Sequence, residues 1–317
     1  MQAGTWPRVA VVGAGAVGCY YGGMLARAGA PVTLIGRRAH MDAIARDGLL
    51  LDRLSGAERV RVEVSTGIDA VRGAQIVLVC VKTVDTETVA KELQAQLATG
   101  AIVLSLQNGV NNVERMRASA QIDAIPAVVY VAAAMAGPGH VKHSGRGDLV
   151  IGTLPHAVAD GGGEASIDLN ALSAVFERAE IPCRVSQNIR LELWAKMVLN
   201  CGYNAISALG RARYGRMAQS PDIVALMRQA IAETIAVARA EGVQLDEAGM
   251  IEAGHKLGAA MSEARSSTSQ DIERGRPTEI DSLNGYIARR GAELGVPTPV
   301  NQMLYALVKL LEQSRDV

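Results

Sequence analysis

The sequence predicts an α/β domain with a doubly wound parallel sheet, followed by an all-α domain. Three observations predict it. Short apolar runs alternate with helical periodicity over residues 1–187. Over residues 188–317 helical periodicity continues with few β-like runs. A glycine-rich turn follows the first apolar run directly, where doubly wound sheets carry one. At 317 residues the chain is long enough for two such domains.

Arg8-Val-Ala-Val-Val12 reads as a short buried strand. Gly13-Ala14-Gly15-Ala16-Val17-Gly18 follows, then an apolar helical pattern through Ala28. Gly29 ends that helix, and Pro31–Ile35 reads as a second strand. A GxGxxG pattern also occurs at ordinary strand–helix junctions. In this strand–turn–helix–strand context it reads instead as a Rossmann-type dinucleotide fingerprint. Gly13 permits the tight turn, Gly15 lets the backbone approach a pyrophosphate, and Gly18 lets the helix pack on the strand. The helix start offers unpaired N–H groups and a positive dipole end to the phosphates. Gly13, Ala14, Gly15, Ala16, Val17 and Gly18 are therefore candidate cofactor contacts.

The second strand would end in Asp or Glu if it held the ribose 2′-hydroxyl of NAD. It ends in Gly36-Arg37-Arg38. A carboxylate repels a 2′-phosphate and a guanidinium pairs with it, so Arg37 points to NADP(H). The alternative is a solvated basic turn.

Ile76–Val81 and Ala101–Leu106 are continuous apolar runs, as expected for strands covered on both faces, and Thr86–Leu97 between them is helix-like. Ala127–Val131 is another strand, and His140–Gly152 predicts two short strands joined by Ser144-Gly-Arg-Gly147. Ala159–Glu164 reads as a surface loop, Ser166–Arg178 as a helix and Pro182–Val185 as a last strand. Helices then follow at Ile189–Leu209, Pro221–Glu241, Asp246–Leu257, Thr278–Leu294 and Pro299–Gln313.

Composition excludes several functions. Net charge is zero and a single Phe is present, which speaks against a nucleic-acid surface. The longest apolar run, Ala124 to Gly137, is too short for a membrane span and contains Pro126. Cys19, Cys80, Cys183 and Cys201 share no metal-like spacing and read as reduced thiols. The fingerprint begins almost at residue one, leaving no room for a signal peptide, so a cytoplasmic protein is expected. His140 and His143 fall on opposite faces of a strand, and no metal site is expected.

Ligands of doubly wound sheets bind beyond the carboxyl ends of the strands. Lys82 follows the strand ending at Val81, and Asn108 follows the one ending at Leu106. Each reads either as a site residue or as an ordinary strand end or turn. In the second half, Lys196, Asn200 and Asn204 recur at i, i+4 and i+8 within a strongly apolar helix. Such a stripe faces either bulk water or a polar ligand. Burying an unpaired amide costs roughly 1–3 kcal/mol, which a polar ligand would offset. A third polar cluster runs from Ser266 to Asp271 and from Arg276 to Gly285. Thr278 and Asp281 have capping-box spacing, so Glu279 is readable as a first-turn acid. Asn284-Gly285 would lie inside the helix, where Gly costs about 1 kcal/mol relative to Ala and signals close approach of another element.

These residues resemble the ketopantoate reductase family (2-dehydropantoate 2-reductase) over nearly the whole chain. The resemblance rests on Gly13–Gly18 with Arg37, Val81-Lys82, Gln107-Asn108-Gly109, Trp194–Asn204, Gln270–Asp281 and Asn284-Gly285. It implies a Rossmann-type domain and a helical domain with the active site in the cleft between them. It implies NADPH-dependent reduction of 2-dehydropantoate to pantoate, towards pantothenate and coenzyme A. Lys196 would be the general acid, and Asn200 and Asn204 would hold the substrate. Ser267 would bind its carboxylate, and Glu279 would sit at the substrate–cofactor junction. Lys82 and Asn108 would line the nicotinamide end, Asn108 on the substrate side too, and Ala134 would make a backbone cofactor contact. Tyr214-Gly215 and Ala264 depart from the polar residues that some members carry.

Elementary chemistry agrees with that assignment. Hydride addition to a ketone builds negative charge on its oxygen, which a nearby ammonium stabilises and protonates. Partial desolvation would lower the Lys196 pKa, and a substrate carboxylate would raise it. Two rivals stand beside this reading: a reductase of another small 2-oxo acid, and a non-catalytic NADPH-binding sensor. The second would not need the Lys196 stripe. The sequence is compatible with a homodimer and does not decide it.

Overall fold

The computed structural model describes residues 5–154 and 167–314. The loop expected at Ala159–Glu164 lies outside them. The chain divides into two compact units, Met1–Ile189 and Arg190–Val317.

The first unit holds a ten-stranded sheet. Its strands are β1 (Val9–Val12), β2 (Val32–Ile35), β3 (Leu49–Arg53), β4 (Gly56–Val60), β5 (Glu63–Ser65), β6 (Ile76–Val79), β7 (Ile102–Ser105), β8 (Ile125–Gly137), β9 (His140–Ile151) and β10 (Cys183–Val185). Their spatial order is β4-β3-β9-β8-β7-β6-β1-β2-β5, with β10 paired to β9. The stretch from β5 to β8 is all parallel. That stretch has the doubly wound order, so the crevice where the winding reverses lies beside β1. Every residue of β1 and β6 is buried, as their unbroken apolar runs require. The helices are α1 (Ala16–Arg27), α2 (Arg38–Asp47), α3 (Thr86–Gln94), α4 (Asn112–Ala120) and α5 (Leu169–Arg178). Tyr21, Leu25, Leu34, Leu49 and Phe176 are among the fully buried side chains of this core.

Sequence patterning missed part of the sheet. His140–Ile151 is one strand of 12 residues, not two short ones, and it pairs antiparallel with the 13-residue β8. Gly145, Arg146 and Gly147 all have positive φ. They make a bulge inside the ribbon, where register shifts fall at Tyr130/Val131 and Ala132/Ala133. A Ser-Gly-Arg-Gly stretch carries turn chemistry, but here the ladder resumes beyond it. Arg146 lies over the Tyr130 ring at 4.1 Å and pairs with Asp148, which carries the ribbon across the bulge. The β3–β4 hairpin and β5 were also not expected. The residues of β4 and β5 are mostly half-buried or exposed, so their apolar signal is weak, whereas the Leu49–Leu51 run of β3 is apolar but only three residues long.

The second unit is helical among its described residues: α6 (Ile189–Leu209), α7 (Tyr214–Ala218), α8 (Pro221–Ala240), α9 (Glu247–Ala260), α10 (Ser267–Glu273), α11 (Asn284–Leu294) and α12 (Pro299–Gln313). Tyr203, Ile206, Met217, Met227, Ile280, Leu304 and Val308 contribute to its core. The helix expected over Thr278–Leu294 is broken. A 3-10 turn spans Ile280–Ser282, and Leu283 leaves helical geometry at φ −108°, ψ −109°. Thr278 Oγ1 accepts the Ile280 N–H at 3.2 Å, closing a local turn rather than a capping box. Asn284-Gly285 therefore opens α11 instead of interrupting a helix. The close approach it signalled is real, because a Cβ on Gly285 would lie 2.8 Å from the Tyr305 ring.

The bulge yields a stability prediction. Gly147 and Gly56 both have φ values unfavourable to L side chains, but only a Cβ at 147 would collide with the Tyr20 hydroxyl. Gly147→Ala should lower the thermal midpoint by clearly more than Gly56→Ala, read by circular dichroism. Equal shifts would mean that the ribbon does not press on Tyr20.

Candidate active site

In the first unit the sequence-predicted groups converge on the carboxyl ends of β1, β2, β6 and β7. The Ile35 carbonyl accepts the N–H groups of both Gly13 and Ala14 at 3.0 Å, which ties the glycine turn to the end of β2. Arg37 comes two residues later, exposed at the start of α2. Gly13 (φ +102°) also needs its missing side chain, since a Cβ there would lie 2.6 Å from the Val81 backbone nitrogen. A Cβ on Gly18 would overlap the Gly13 carbonyl, whereas one on Gly15 meets nothing within 4 Å. Two of the glycines therefore serve packing and the third keeps open space. Gly15 is exposed and is the residue before α1, whose first turn presents N–H groups with no carbonyl one turn back. No acidic side chain sits in that turn to compete with an anion.

Lys82 is half-buried just beyond β6, and Asn108 is half-buried just beyond β7. Gln107 brings these two loops together. Its Nε2 donates to the Val81 carbonyl at 3.2 Å and to Thr86 Oγ1 at 2.8 Å, and its Oε1 accepts from Ser105 Oγ at 3.0 Å. Asn112 Nδ2 donates to the Asn108 carbonyl at 2.7 Å. Gln107 is 6% exposed and Asn112 5%. Sequence reading gave neither a role. Their signal was a polar Gln107–Asn112 stretch in an otherwise apolar neighbourhood, and it went to Asn108 alone.

Ala134 stands apart from these loops, half-buried on β8 opposite Lys142. The turn of that ribbon reaches α2, where Gly139 N–H donates to His40 Nδ1 at 2.7 Å. Burial and the Arg37 charge hold His40 below the usual imidazole range, which keeps Nδ1 free to accept. Burial pushes the Cys19 and Cys201 thiols up to about 12 and Cys183 up to about 11, so none of the three is a ready nucleophile.

In the second unit Lys196, Asn200 and Asn204 share one face of α6. Lys196 and Asn200 are half-buried and Asn204 is 4% exposed, so the stripe is partly shielded from bulk water. Ser267 is exposed at the start of α10, and its neighbour Ser266 attaches that start to the stripe. Ser266 Oγ donates to the Asn204 carbonyl at 3.0 Å and accepts the Ser269 N–H at 3.0 Å. Ser266 was another residue that sequence reading left without a role, hidden as one of four consecutive hydroxyl residues.

Glu279 is half-buried and flanked by residues that α12 grips. Glu312 accepts the Thr278 N–H at 2.6 Å, while Tyr305 and Lys309 donate to Asp281 at 2.8 and 3.0 Å. Burial pushes the Asp281 carboxyl up, but the hydrogen bonds from Lys309 and Tyr305 outweigh it and hold the group below its usual range. Tyr214 and Ala264 are joined as well. The Tyr214 N–H donates to the Ala264 carbonyl at 3.0 Å, two residues before Ser266.

Family models decide what this arrangement belongs to. Residues 9–156 match the ketopantoate reductase PanE/ApbA model and residues 188–312 match its C-terminal counterpart. The 2-dehydropantoate 2-reductase of Archaeoglobus fulgidus is 34% identical over 96% of this chain and 98% of its own. The chain belongs to the ketopantoate reductase family. It is an oxidoreductase of that type. A PanE/ApbA family ketopantoate reductase from Ralstonia eutropha JMP134 superposes with a TM-score of 0.89 at 47% identity, covering 98% of this chain and 100% of that one. D-mandelate dehydrogenase, solved with NADH and anilino(oxo)acetate, shares the fold with a TM-score of 0.90 at 24% identity, covering 98% and 99%. No described helix is long and apolar enough to cross a membrane. No group of three or more His, Cys, Asp or Glu among the described residues could hold a metal ion.

The glycine geometry separates binding from folding in this ketopantoate reductase. Gly15→Ala should fold with a near-native thermal midpoint and bind dinucleotide at least tenfold more weakly by fluorescence titration. Gly18→Ala should lose soluble folded protein, because its Cβ has no room. Unchanged dinucleotide affinity in folded Gly15→Ala would remove the glycine turn from the cofactor site.

Proposed function

We propose that this chain reduces 2-dehydropantoate to pantoate with NADPH, a step towards pantothenate and coenzyme A. The observation that carries the reading is the Lys196–Asn200–Asn204 stripe, a polar face partly shielded from bulk water on an apolar helix of a ketopantoate reductase. The division of labour follows residues 1–187 for the dinucleotide and 188–317 for the substrate. A cytoplasmic setting belongs to the same reading, and four free cysteines fit it.

The residues present fit a bound dinucleotide phosphate. Gly15 leaves space where a Cβ would stand, and the start of α1 supplies N–H donors to a pyrophosphate. Arg37, at the end of β2, pairs with a 2′-phosphate where a carboxylate would reject it. D-mandelate dehydrogenase, which shares the fold, was solved with NADH; on the present reading the Arg37 side chain after β2 is what selects NADPH in this chain. The bound nicotinamide supplies the hydride. Lys82 and Asn108 attend that end, and Ala134 contributes its backbone. Glu279 meets both substrate and cofactor.

On the substrate side Asn200 and Asn204 hold the oxo acid by amide hydrogen bonds, and Ser267 receives its carboxylate. The Lys196 ammonium hydrogen-bonds the ketone oxygen. As negative charge grows there, the attraction strengthens and the proton transfers from Nζ to oxygen. The catalytic gain comes from that difference between ground state and transition state.

A second reading keeps every role and changes the substrate to another small 2-oxo acid. The Tyr214–Ala264 pair favours testing it, because two departures from the family pattern meet at one backbone hydrogen bond near Ser267.

NADPH oxidation at 340 nm should be fastest with 2-dehydropantoate among a panel of 2-oxo acids. A better rate with another member would replace the substrate and leave the roles standing. Arg37→Ala should raise KM for NADPH much more than for NADH, and equal wild-type use of both would sink the cofactor assignment. Lys196→Ala should lower kcat by roughly 10²–10⁴-fold with NADPH affinity retained. Lys196→Arg should not rescue it, since a guanidinium holds its proton too tightly. A folded Lys196→Ala enzyme that turns over at the wild-type rate would remove Lys196 as the acid.

A further inference from the structure

The substrate-side groups of α6 are only as well aimed as that helix is well held. A buried polar chain holds it. Glu233 on α8 accepts three donors from the start of α12: the N–H groups of Val300 and Asn301, both at 2.9 Å, and Asn301 Nδ2 at 2.8 Å. Asn301 Nδ2 also donates to the Ala230 carbonyl at 3.1 Å. Its nitrogen is thereby committed, so its Oδ1 accepts from Asn284 Nδ2 at 2.9 Å. The second hydrogen of Asn284 Nδ2 goes to the Cys201 carbonyl of α6 at 3.1 Å. Both asparagines are 0% exposed.

Stability is a poor account of this chain. Asn284 Oδ1 is buried without a partner, a cost that an apolar side chain of the same size would not incur. Replacing buried polar groups by well-packed apolar ones is often neutral or stabilising. What an apolar residue cannot supply is a directional bond to one carbonyl. Cys201 directly follows Asn200, and its carbonyl lies in the turn that joins Asn200 to Asn204. Ser266 holds the other end of that turn through the Asn204 carbonyl. Two bonded carbonyls three residues apart fix both the rotation and the axial position of the helix there.

We infer that Asn284, held by Asn301 and Glu233, is a positioning residue for the α6 stripe. It touches no substrate. It fixes the turn from which Asn200 and Asn204 project, and it fixes the start of α11 just after the Glu279 segment against that same turn. The inference rests on the reading of Lys196, Asn200 and Asn204 as the substrate-side groups. A misplacement of about 1 Å in such a group costs on the order of 10²-fold in rate.

Asn284→Leu fills the same volume and removes the bond. It should fold with a thermal midpoint at or above that of the wild type. NADPH Kd should stay within about twofold, while kcat with the best 2-oxo acid falls at least tenfold. Asn200→Ala should then cost much less in the Asn284→Leu background than in the wild type, since an amide already misaimed has less to lose. A stable Asn284→Leu enzyme with kcat within about twofold of wild type, or strictly additive effects with Asn200→Ala, would overturn the inference. Should Asn284→Leu not fold, Glu233→Gln at a half-buried position poses the same question, and additivity with Asn200→Ala would again overturn it. Lys196→Ala separates the two levels. If it is crippled while Asn284→Leu is fully active, the positioning role alone falls. If it turns over at the wild-type rate, the stripe has been misread and the positioning role falls with it.

Discussion

The arrangement of the first unit's strand ends depends on one carbonyl. Ile35, the last residue of β2, accepts the N–H groups of both Gly13 and Ala14. That bifurcated contact sets where the glycine turn stands relative to the strand that delivers Arg37. The turn also presses on the β6 side, where the Cys80 N–H donates to the Val12 carbonyl at 2.7 Å. Three neighbouring strand ends are thereby locked around a stretch of chain with almost no side chains. Gly13 packs against the Cys80–Val81 backbone that leads to Lys82, and Gln107, beyond β7, bonds the Val81 carbonyl. Electrostatics is secondary here, and the geometry is set by how closely backbone can approach backbone.

The helical half solves a different problem. The polar groups of the proposed Lys196–Asn200–Asn204 stripe come from one face of one helix, so backbone precision there must be imposed from outside that helix. It is imposed at carbonyl oxygens already used once by the helix itself, whose second lone pairs accept from Ser266 and Asn284. The Glu279 segment is held in a similar way, through ionised partners on α12 whose hydrogen bonds outweigh the cost of half-burying them. Polar groups away from the substrate therefore outnumber those that would touch it.

The sequence was most legible where one signal served one purpose. The β1–α1–β2 unit has period, caps and glycines that agree, and α6 and α12 carry the same bounds in the sequence as in the structure. Legibility failed where residue types have two uses. Ser144-Gly-Arg-Gly147 makes a bulge with the same positive φ angles that a turn would need. Thr278–Asp281 imitates a capping box, but the chain there bends to bring Asn284 against α6. The site residues that resisted reading were Gln107, Asn112, Ser266 and Asn284. Gln107, Ser266 and Asn284 act through the backbone of a distant segment and Asn112 through the Asn108 carbonyl four residues back, and no periodicity within their own segments reports those partners.

The Tyr214–Ala264 contact runs between a backbone N–H and a backbone carbonyl. Such a bond is blind to what the two side chains are. The Tyr214 ring is committed, packed 4.6 Å from Tyr203, but Ala264 is half-buried and presents only a methyl group. The frame around Ser267 can therefore stay constant while position 264 changes from apolar to polar or from small to large. A backbone-only joint of this kind lets a side chain beside it be exchanged among descendants of one fold without disturbing the segments it ties together.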